Sequence, residues 1–291
     1  MSLRQRLGRA PILLAPGCYD ALSALLIEQA GFEAAYLSGA SVSYTRFGLP
    51  DIGLVGMSEM AEVIRAIRDR VALPLVVDGD TGFGNALNVQ RTVRAYARAG
   101  ADAIQLEDQT FPKRCGHLGD KTVVSTAEMT GKIKAAVDAR PSPDFLVIAR
   151  TDAVAVEGLE AAFDRAAAYV EAGADLLFVE APRSTDELAA VVARFGGRVP
   201  LMANMVEGGK TPLSSAADLE AIGFSLVIFP GGLVRALTRM AQDYLASLKQ
   251  HGTTKPFADR MHDFAALNDV LETPSFLAQG RRYDPSPEGM E

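Results

Sequence analysis

The chain has 291 residues, of which 48% are hydrophobic and 22% charged, a composition typical of a globular protein with a sizeable core. Its net charge of −7 argues against nucleic acid and anionic membranes as partners. The two cysteines, Cys18 and Cys115, are too few for a disulfide framework, and we find neither a signal peptide nor an apolar membrane span. These features predict a cytoplasmic protein.

Four stretches share one layout, in which a glycine is followed within a few residues by a short apolar run. They lie at 30–37, 99–106, 172–179 and 222–229. The glycine suits the left-handed position that ends a helix, and a buried strand would follow it. Further apolar runs lie at 11–14, 74–77, 145–148 and 200–203. These runs predict eight short strands of the kind found in a parallel sheet that is covered on both faces.

Amphipathic segments, with apolar residues at steps of three and four, separate these strands. They lie at 21–29, 58–70, 87–98, 127–139, 159–171, 186–195, 216–221 and 233–249. Eight strands that alternate with eight helices predict an α/β fold, the (β/α)8 TIM barrel. A doubly wound sheet is the alternative, but no G-x-G-x-x-G motif follows the first strand. We interpret residues 1–291 as one barrel domain in which 255–291 form a C-terminal helical extension, with a loose tail after Gly280.

Polar side chains follow most of the predicted strands directly, and barrel enzymes keep their active sites at these C-terminal strand ends. The strand-end residues are Gly17 and Cys18, Ser38 and Gly39, Asp78 to Asp80, Glu107 and Asp108, Arg150 to Asp152, Glu180, Asn204, and Pro230 to Gly232. Neighbouring carboxylates repel and raise one another's pKa, so this concentration of acids indicates a cation site.

Four acids offer this site oxygen ligands only: Asp78, Asp80 and Glu107, with Asp51 in the loop after the second strand. Of the three histidines, only His117 lies near the strand ends. Oxygen ligands without imidazole favour Mg²⁺, or Mn²⁺, over zinc. The alternative for each acid is a helix N-cap or a solvated loop.

Other strand-end groups suit a carboxylate substrate. Arg150 and Asn204 can hold carboxylate oxygens, and the backbone N–H groups of residues 38–40 can approach an oxyanion. The alternatives are a plain turn at 38–40 and a structural ion network of Arg150 with Asp152 and Glu180.

The polar stretch at 107–121, EDQTFPKRCGHLGDK, contains a cysteine with unusual neighbours. Cys115 is flanked by Lys113, Arg114 and His117. Cations beside a thiol lower its pKa, which favours an exposed acid or nucleophile. A buried, inert cysteine is the alternative, and it is our interpretation of Cys18. The loop at 111–120 is predicted to open and close as a lid.

These motifs resemble the isocitrate lyase and phosphoenolpyruvate mutase superfamily. KRCGH at 113–117 resembles its lyase signature K-[KR]-C-G-H, and VDGDTGFGN at 77–85 is similar to its metal-binding segment. Further blocks match at 36–40, 48–51, 149–153 and 203–212, so the resemblance covers essentially the whole chain. It implies a barrel, Mg²⁺ as cofactor, and a homotetramer that exchanges its last barrel helix between subunits.

The resemblance also implies roles for individual residues. Asp78 would bind Mg²⁺ directly or through water, within a shell completed by Asp51, Asp80 and Glu107. The substrate pocket would be formed by Ser38, Gly39, Ala40, Asp51, Gly116, His117, Arg150, Glu180, Asn204 and Pro230. Cys115 would donate a proton and Lys113 would orient the loop; His117, Arg150 and Glu180 complete the implied catalytic set.

The implied activity is that of a Mg²⁺-dependent carbon–carbon lyase. It would cleave a 2-hydroxy di- or tricarboxylate, of the 2-alkylmalate or 2-methylisocitrate type, into an α-keto acid and a second carboxylate. FPGG at 229–232 and LGD at 118–120 depart from the Y-P-L-S and R-P-N of methylisocitrate lyases, which favours a 2-alkylmalate-type diacid.

Three alternatives remain beside the lyase. The first is an oxaloacetate decarboxylase or hydrolase, because 203–212 also resembles oxaloacetate-cleaving relatives. The second is a carboxyphosphonoenolpyruvate phosphonomutase. Mutases of the superfamily generally lack the C-G-H triplet, which argues against the second. A non-enzymatic barrel scaffold is the third, and the presence of Cys115 and Asp78 argues against it.

Overall fold

A closed barrel of eight parallel strands forms the centre of the computed structural model, which describes residues 2–116 and 119–284. The strands are β1 Leu13–Cys18, β2 Ala35–Leu37, β3 Leu75–Asp78, β4 Ala103–Glu107, β5 Leu146–Thr151, β6 Leu176–Val179, β7 Leu201–Asn204 and β8 Leu226–Phe229. Each strand pairs with the next along the chain, and β8 pairs with β1. The predicted (β/α)8 barrel is therefore confirmed.

Helices connect and surround the strands. They are α1 Leu3–Leu7, α2 Ala21–Gln29, α3 Gly39–Val42, α4 Met57–Arg68, α5 Ala86–Ala99, α6 Thr126–Ala139, α7 Leu159–Glu171, α8 Thr185–Phe195, α9 Ala216–Ile222, α10 Gly232–His251, α11 Phe264–Val270 and α12 Thr273–Gly280. The eight predicted barrel helices agree with the observed bounds to within two residues. The first strand differs more: it runs from Leu13 to Cys18, because Leu13 pairs in register with Leu226 of β8.

The repeated glycine layout has the predicted conformation. Gly31, Gly100, Gly173 and Gly223 all have positive φ, between 83° and 121°, at or just after the end of a helix. This left-handed conformation ends each helix and lets the chain turn into the next strand.

Strand residues alternate between two cores. Ile104 and Leu106 of β4 face the surrounding helices, whereas Ala103 belongs to the cluster that fills the barrel interior. Leu3 and Leu7 of α1 join this interior cluster, and Arg4 bonds to the Pro143 carbonyl and Asp175 just before β5 and β6. Helix α1 therefore packs at the N-terminal ends of the strands, which leaves the opposite mouth for chemistry.

The described chain divides into two compact units, the first ending at Arg235 and the second beginning at Ala236. The first unit holds the barrel. The second holds the remainder of α10 with α11 and α12, and in it the rings of Tyr244 and Phe257 pack edge to face with centroids 5.5 Å apart. The interpretation of 1–291 as a single domain stays a prediction, and the tail at 285–291 lies outside the described residues. Within those residues, no helix has the length and apolar character needed to cross a membrane.

Candidate active site

The period of two along each strand explains which side chains reach the mouth of the barrel. Tyr36, Val76, Ile148, Phe178 and Met202 belong to the interior cluster. Two residues further along each of these strands stand polar groups: Ser38, Asp78, Arg150, Glu180 and Asn204. On β4 the same alternation places Gln105 and Glu107 on the same face as Ala103. Six strands therefore direct polar side chains into one space.

That space is a recess at the mouth of the barrel. The predicted site residues that line it are Ser38, Ala40, Asp51, Asp78, Glu107, Lys113, Cys115, Gly116, Arg150, Glu180, Asn204 and Pro230. Gly39 and Asp80 lie directly behind this lining, beside Asp78 and Lys113 respectively. His117 falls outside the described residues. The structure thus brings together the other fourteen residues that the sequence predicts.

One side of the recess is acidic and is bridged by a buried lysine. Lys113 Nζ donates to Asp51 Oδ1 and lies 2.8 Å from Asp80 Oδ1. Its side chain is only 5% exposed, so it reaches out of the loop and into the barrel mouth. The Asp78 carboxylate is buried beside them and accepts the Asp80 backbone N–H at 3.2 Å.

Burial and mutual repulsion perturb these groups. Burial raises the pKa of Asp80 to about 6, and the Lys113 ammonium opposes this shift only partly. Burial also raises the pKa of Glu107 well above its usual range, despite the nearby Arg150. Burial opposes the charge of Lys113 too, but Asp80 and the other carboxylates outweigh it and hold the Lys113 pKa well above its ordinary value. The acidic side therefore has too little positive charge for its carboxylates.

The opposite side is built around Arg150. Its Nε and Nη2 donate to the two carboxylate oxygens of Asp152 at 2.9 and 3.1 Å. Its Nη1 lies 3.3 Å from Glu107 Oε2, and its guanidinium carbon stands 5.2 Å from the centre of the Phe178 ring. The two-pronged edge of Arg150, predicted to hold substrate, is thus paired with Asp152 in this structure.

This pairing fixes the charge state of both partners. Burial disfavours the Asp152 carboxylate, but Arg150 and Lys121 together lower the Asp152 pKa to about 2. Burial likewise opposes the charge on Arg150, and the carboxylates of Asp152, Glu107 and Glu180 nonetheless keep its pKa well above the usual value. Arg150 is therefore a fixed, oriented cation.

The cysteine of the loop is positioned over the recess. Cys115 is half-buried, and its backbone N–H donates to the Asp51 carbonyl at 3.3 Å. Neither it nor Cys18, both in the described chain, is part of a disulfide. The prediction that Cys18 serves packing agrees with its position: it is fully buried, and burial raises its pKa strongly. The predicted lowering of the Cys115 pKa stays a prediction.

The backbone of Gly116 lies close to Arg150 and Glu180. A Cβ at this position would stand 2.5 Å from Arg150 Nη2 and 2.8 Å from Glu180. Asn204 Nδ2 donates to Glu180 Oε2 at 3.2 Å on the next strand. Only a residue without a side chain lets the loop lie this close to both charged groups.

The 38–40 segment forms the first turn of α3. The Ser38 hydroxyl accepts from the Ser41 N–H, and a Cβ on Gly39 would lie 3.2 Å from Asp78 Oδ2. The predicted oxyanion cradle and the predicted principal metal ligand are therefore adjacent. Pro230 closes this side, where its carbonyl accepts from the Ser41 hydroxyl at 3.1 Å.

Several residues of the site were not among those predicted. Tyr36, Tyr44, Val206 and Arg235 also line the recess. Tyr36 could have been found from its place two residues before Ser38 on the same strand. Lys121 is buried against Asp152, but a lysine at the end of a polar loop carries no sequence signal for burial.

The donor set is compatible with a divalent metal that keeps most of its water. Within the described chain, no group of three or more His, Cys, Asp and Glu side chains is arranged to enclose an ion. The carboxylates are nevertheless all-oxygen donors, and buried Glu107 Oε1 accepts no hydrogen bond from a described residue. Mg²⁺ is commonly held by one or two carboxylates and several waters, so these residues fit such a site rather than a closed protein cage.

Fold and site together define a barrel enzyme with an acidic pocket, an arginine clamp and a thiol on a loop. The phosphoenolpyruvate phosphomutase family model matches residues 3–249, and the chain belongs to this family. It is 44% identical over 269 residues to 2,3-dimethylmalate lyase of Eubacterium barkeri, covering 92% of each chain. It is 45% identical over 286 residues to 2-methylisocitrate lyase of Salmonella typhimurium strain LT2, covering 97% of this chain and 95% of the relative. Phosphonopyruvate hydrolase, solved in complex with oxalate and Mg²⁺, superposes with a TM-score of 0.87 at 34% identity over 97% of both chains.

Proposed function

We propose that this protein is a Mg²⁺-dependent carbon–carbon lyase that cleaves a 2-hydroxy dicarboxylate into an α-keto acid and a monocarboxylate. One observation carries the proposal: Cys115 and Gly116 lie at a recess that also contains a buried acidic cluster and a fixed arginine. A retro-aldol cleavage needs a group that stabilises the leaving α-keto acid, groups that hold two carboxylates, and one acid. The recess supplies candidates for each.

Different residues of the recess contact different parts of the substrate. The backbone of 38–40 and the nearby Asp78 face the end of the substrate that becomes the α-keto acid. Asn204 and Arg150 Nη1, the guanidinium nitrogen that does not bond to Asp152, face the second carboxylate. The C2 hydroxyl gives its proton to a carboxylate of the recess, and its oxygen forms the keto C=O as the C2–C3 bond breaks. The electron pair of that bond passes to C3, where the adjacent carboxylate delocalises it. Cys115 then delivers a proton to C3, which gives the monocarboxylate.

Mg²⁺, held by Asp78 with Asp51, Asp80 and Glu107 as outer ligands, would supply Lewis acidity to the hydroxyl and α-carboxylate oxygens. The charge balance supports this assignment. The site has six carboxylates, those of Asp51, Asp78, Asp80, Glu107, Asp152 and Glu180. Its buried cations are Lys113, Lys121 and Arg150. A divalent cation lowers the cost of keeping these acids ionised.

For the substrate, we propose a 2-alkylmalate-type diacid rather than 2-methylisocitrate. The two curated relatives do not decide between them, because their identities of 44% and 45% are nearly equal. The support comes from the motifs at 229–232 and 118–120, which depart from those of methylisocitrate lyases.

The direct test is an α-keto acid release assay over 2-hydroxy di- and tricarboxylates, oxaloacetate and phosphonopyruvate, with and without Mg²⁺. We expect Mg²⁺-dependent release from a 2-alkylmalate, with a monocarboxylate as the second product. Turnover confined to oxaloacetate or phosphonopyruvate would replace the lyase with a hydrolase or mutase.

We further propose a homotetramer held in part by residues after 235. In this segment Phe264 is 88% exposed, and Leu245, Met261 and Leu267 also present apolar surface. Phe257 of the same segment is buried and packs on Tyr244. Exposed apolar residues of this number favour association. Sedimentation at micromolar concentration should show a tetramer, and a fully active monomer would contradict this proposal.

A further inference from the structure

The loop at 111–121 is held by its own base. Gln109 and Val123 form an antiparallel bridge, and the Thr110 N–H donates to the Thr122 carbonyl at 2.9 Å. The two ends of the loop are therefore joined just outside the recess. A small number of further contacts is then enough to fix the position of the loop between them.

Two buried side chains at this base fix the backbone on either side of the cysteine. The Gln109 amide donates to the Arg114 carbonyl at 2.8 Å and accepts the Arg114 N–H at 2.9 Å. Lys121 Nζ donates to the Gly116 carbonyl. Cys115 lies between these two anchored peptide groups, so its position is set from both sides.

Lys121 also joins the loop to the arginine clamp. Its Nζ donates to Asp152 Oδ1 at 2.7 Å, and the same carboxylate holds Arg150 through both of its oxygens. The Lys121 and Asp152 side chains are 2% and 0% exposed. An ion pair this deeply buried is costly to separate, because either partner alone would be an uncompensated charge.

We propose that Lys121 is a positioning residue for the reaction: by holding the Gly116 carbonyl and Asp152 together, it fixes Cys115 relative to Arg150. The proposal rests on the proposed lyase function for its kinetic consequence. Its structural consequence, a loop that loosens when Lys121 is replaced, is independent of that function.

The thiol itself reports the loop's position. Cys18 is completely buried, so mild alkylation of the native protein with iodoacetamide reports on Cys115. In Lys121→Met, which keeps the length of the side chain but removes the ammonium, Cys115 should be alkylated at least fivefold faster than in the wild type. Lys134→Met, at an exposed position on α6, is the matched control and should leave the rate unchanged.

Kinetics separate positioning from a purely structural role. Lys121→Met should lower kcat at least tenfold while KM changes by less than threefold, because Arg150 keeps its pairing with Asp152. Lys121→Arg, which keeps the charge and donors, should recover part of the loss. If Lys121 acts through Cys115, the double variant with Cys115→Ser should lose no more activity than Cys115→Ser alone.

Gln109→Met tests the anchoring of the backbone beside Cys115 while leaving the buried charges in place. If Lys121→Met does not fold, Gln109→Met is used instead. It removes both bonds to Arg114 and should also speed alkylation. An unchanged alkylation rate in the folded Lys121 variant, or in Gln109→Met in its place, overturns the proposal whatever the activity. Faster alkylation with no diacid cleaved by the wild type would support the anchoring and refute the lyase function instead.

Discussion

Gly116→Ala is the sharpest test of the way the loop meets the barrel. The added Cβ would stand 2.5 Å from Arg150 Nη2, about 0.9 Å short of ordinary van der Waals contact. A flexible side chain could yield, but Arg150 is held by both oxygens of Asp152 and lies against Glu107. The other neighbour, Glu180, is also buried. The backbone of the loop must therefore move outward, and Cys115 moves with it.

The expected cost follows from that displacement. A shift of about 1 Å in a catalytic group can lower the rate about 100-fold. We therefore expect kcat/KM to fall by about two orders of magnitude, which corresponds to about 2.7 kcal/mol of transition-state stabilisation. The measurement is steady-state α-keto acid release on the best substrate of the panel.

Gly119→Ala is the matched control within the same loop. No described atom lies within 4 Å of a Cβ at Gly119, so activity should stay within about twofold of the wild type. Both substitutions restrict the unfolded chain equally, so their difference isolates the contact with Arg150 and Glu180. A folded Gly116→Ala enzyme with kcat/KM within threefold of wild type would refute the close packing inferred for the loop.

Three further predictions concern the metal, the thiol and the buried ion pair. Chelation with EDTA should abolish activity, and Mg²⁺ or Mn²⁺ should restore it. Among substitutions of the acids, Asp78→Ala should lower activity most. Full activity after exhaustive chelation would refute the oxygen-ligand metal site. Cys115→Ser should lower kcat about 10²- to 10⁴-fold with little change in KM, and a loss confined to KM would exclude the thiol as an obligatory acid. Asp152→Asn should lower the free energy of unfolding by about 2.5 kcal/mol, because Arg150 and Lys121 hold the Asp152 pKa at about 2, below its unfolded value. Since a depressed carboxylate pKa stabilises only above the unfolded pKa, this gap in urea unfolding should stay constant from pH 8 to pH 5 and narrow only below about pH 4.

The barrel could be predicted from the sequence because its signals are local. Each strand is a short apolar run, and glycines such as Gly100 and Gly173 mark where the preceding helices end. Strand-end positions then followed from the fold class alone, since all parallel strands of a barrel end at one mouth. This is why Asp78, Glu107 and Arg150 could be assigned to one site without a structure.

What the sequence could not give is which charges pair. For Arg150 two roles stay open from the sequence, a substrate clamp or an ion network with Asp152 and Glu180, and the structure shows its Nε and Nη2 on Asp152. Lys121 and Gln109 reach their partners across the base of the loop, at spacings set by the loop's path rather than by strand or helix periodicity. Neither residue type in a polar segment predicts burial.

Two buried lysines, Lys113 and Lys121, bind opposite ends of one loop to opposite sides of the site. Lys113 holds it to the acids at Asp51 and Asp80, and Lys121 holds it to Asp152 on the arginine side. Because Lys113 Nζ contacts both Asp51 and Asp80, a cation bound at these acids would compete with Lys113 for the same carboxylates. The Lys121 side has no such competitor, since Asp152 is already matched by two cations. We therefore expect a bound cation to change the contacts of Lys113 while Lys121 keeps its contact with Asp152.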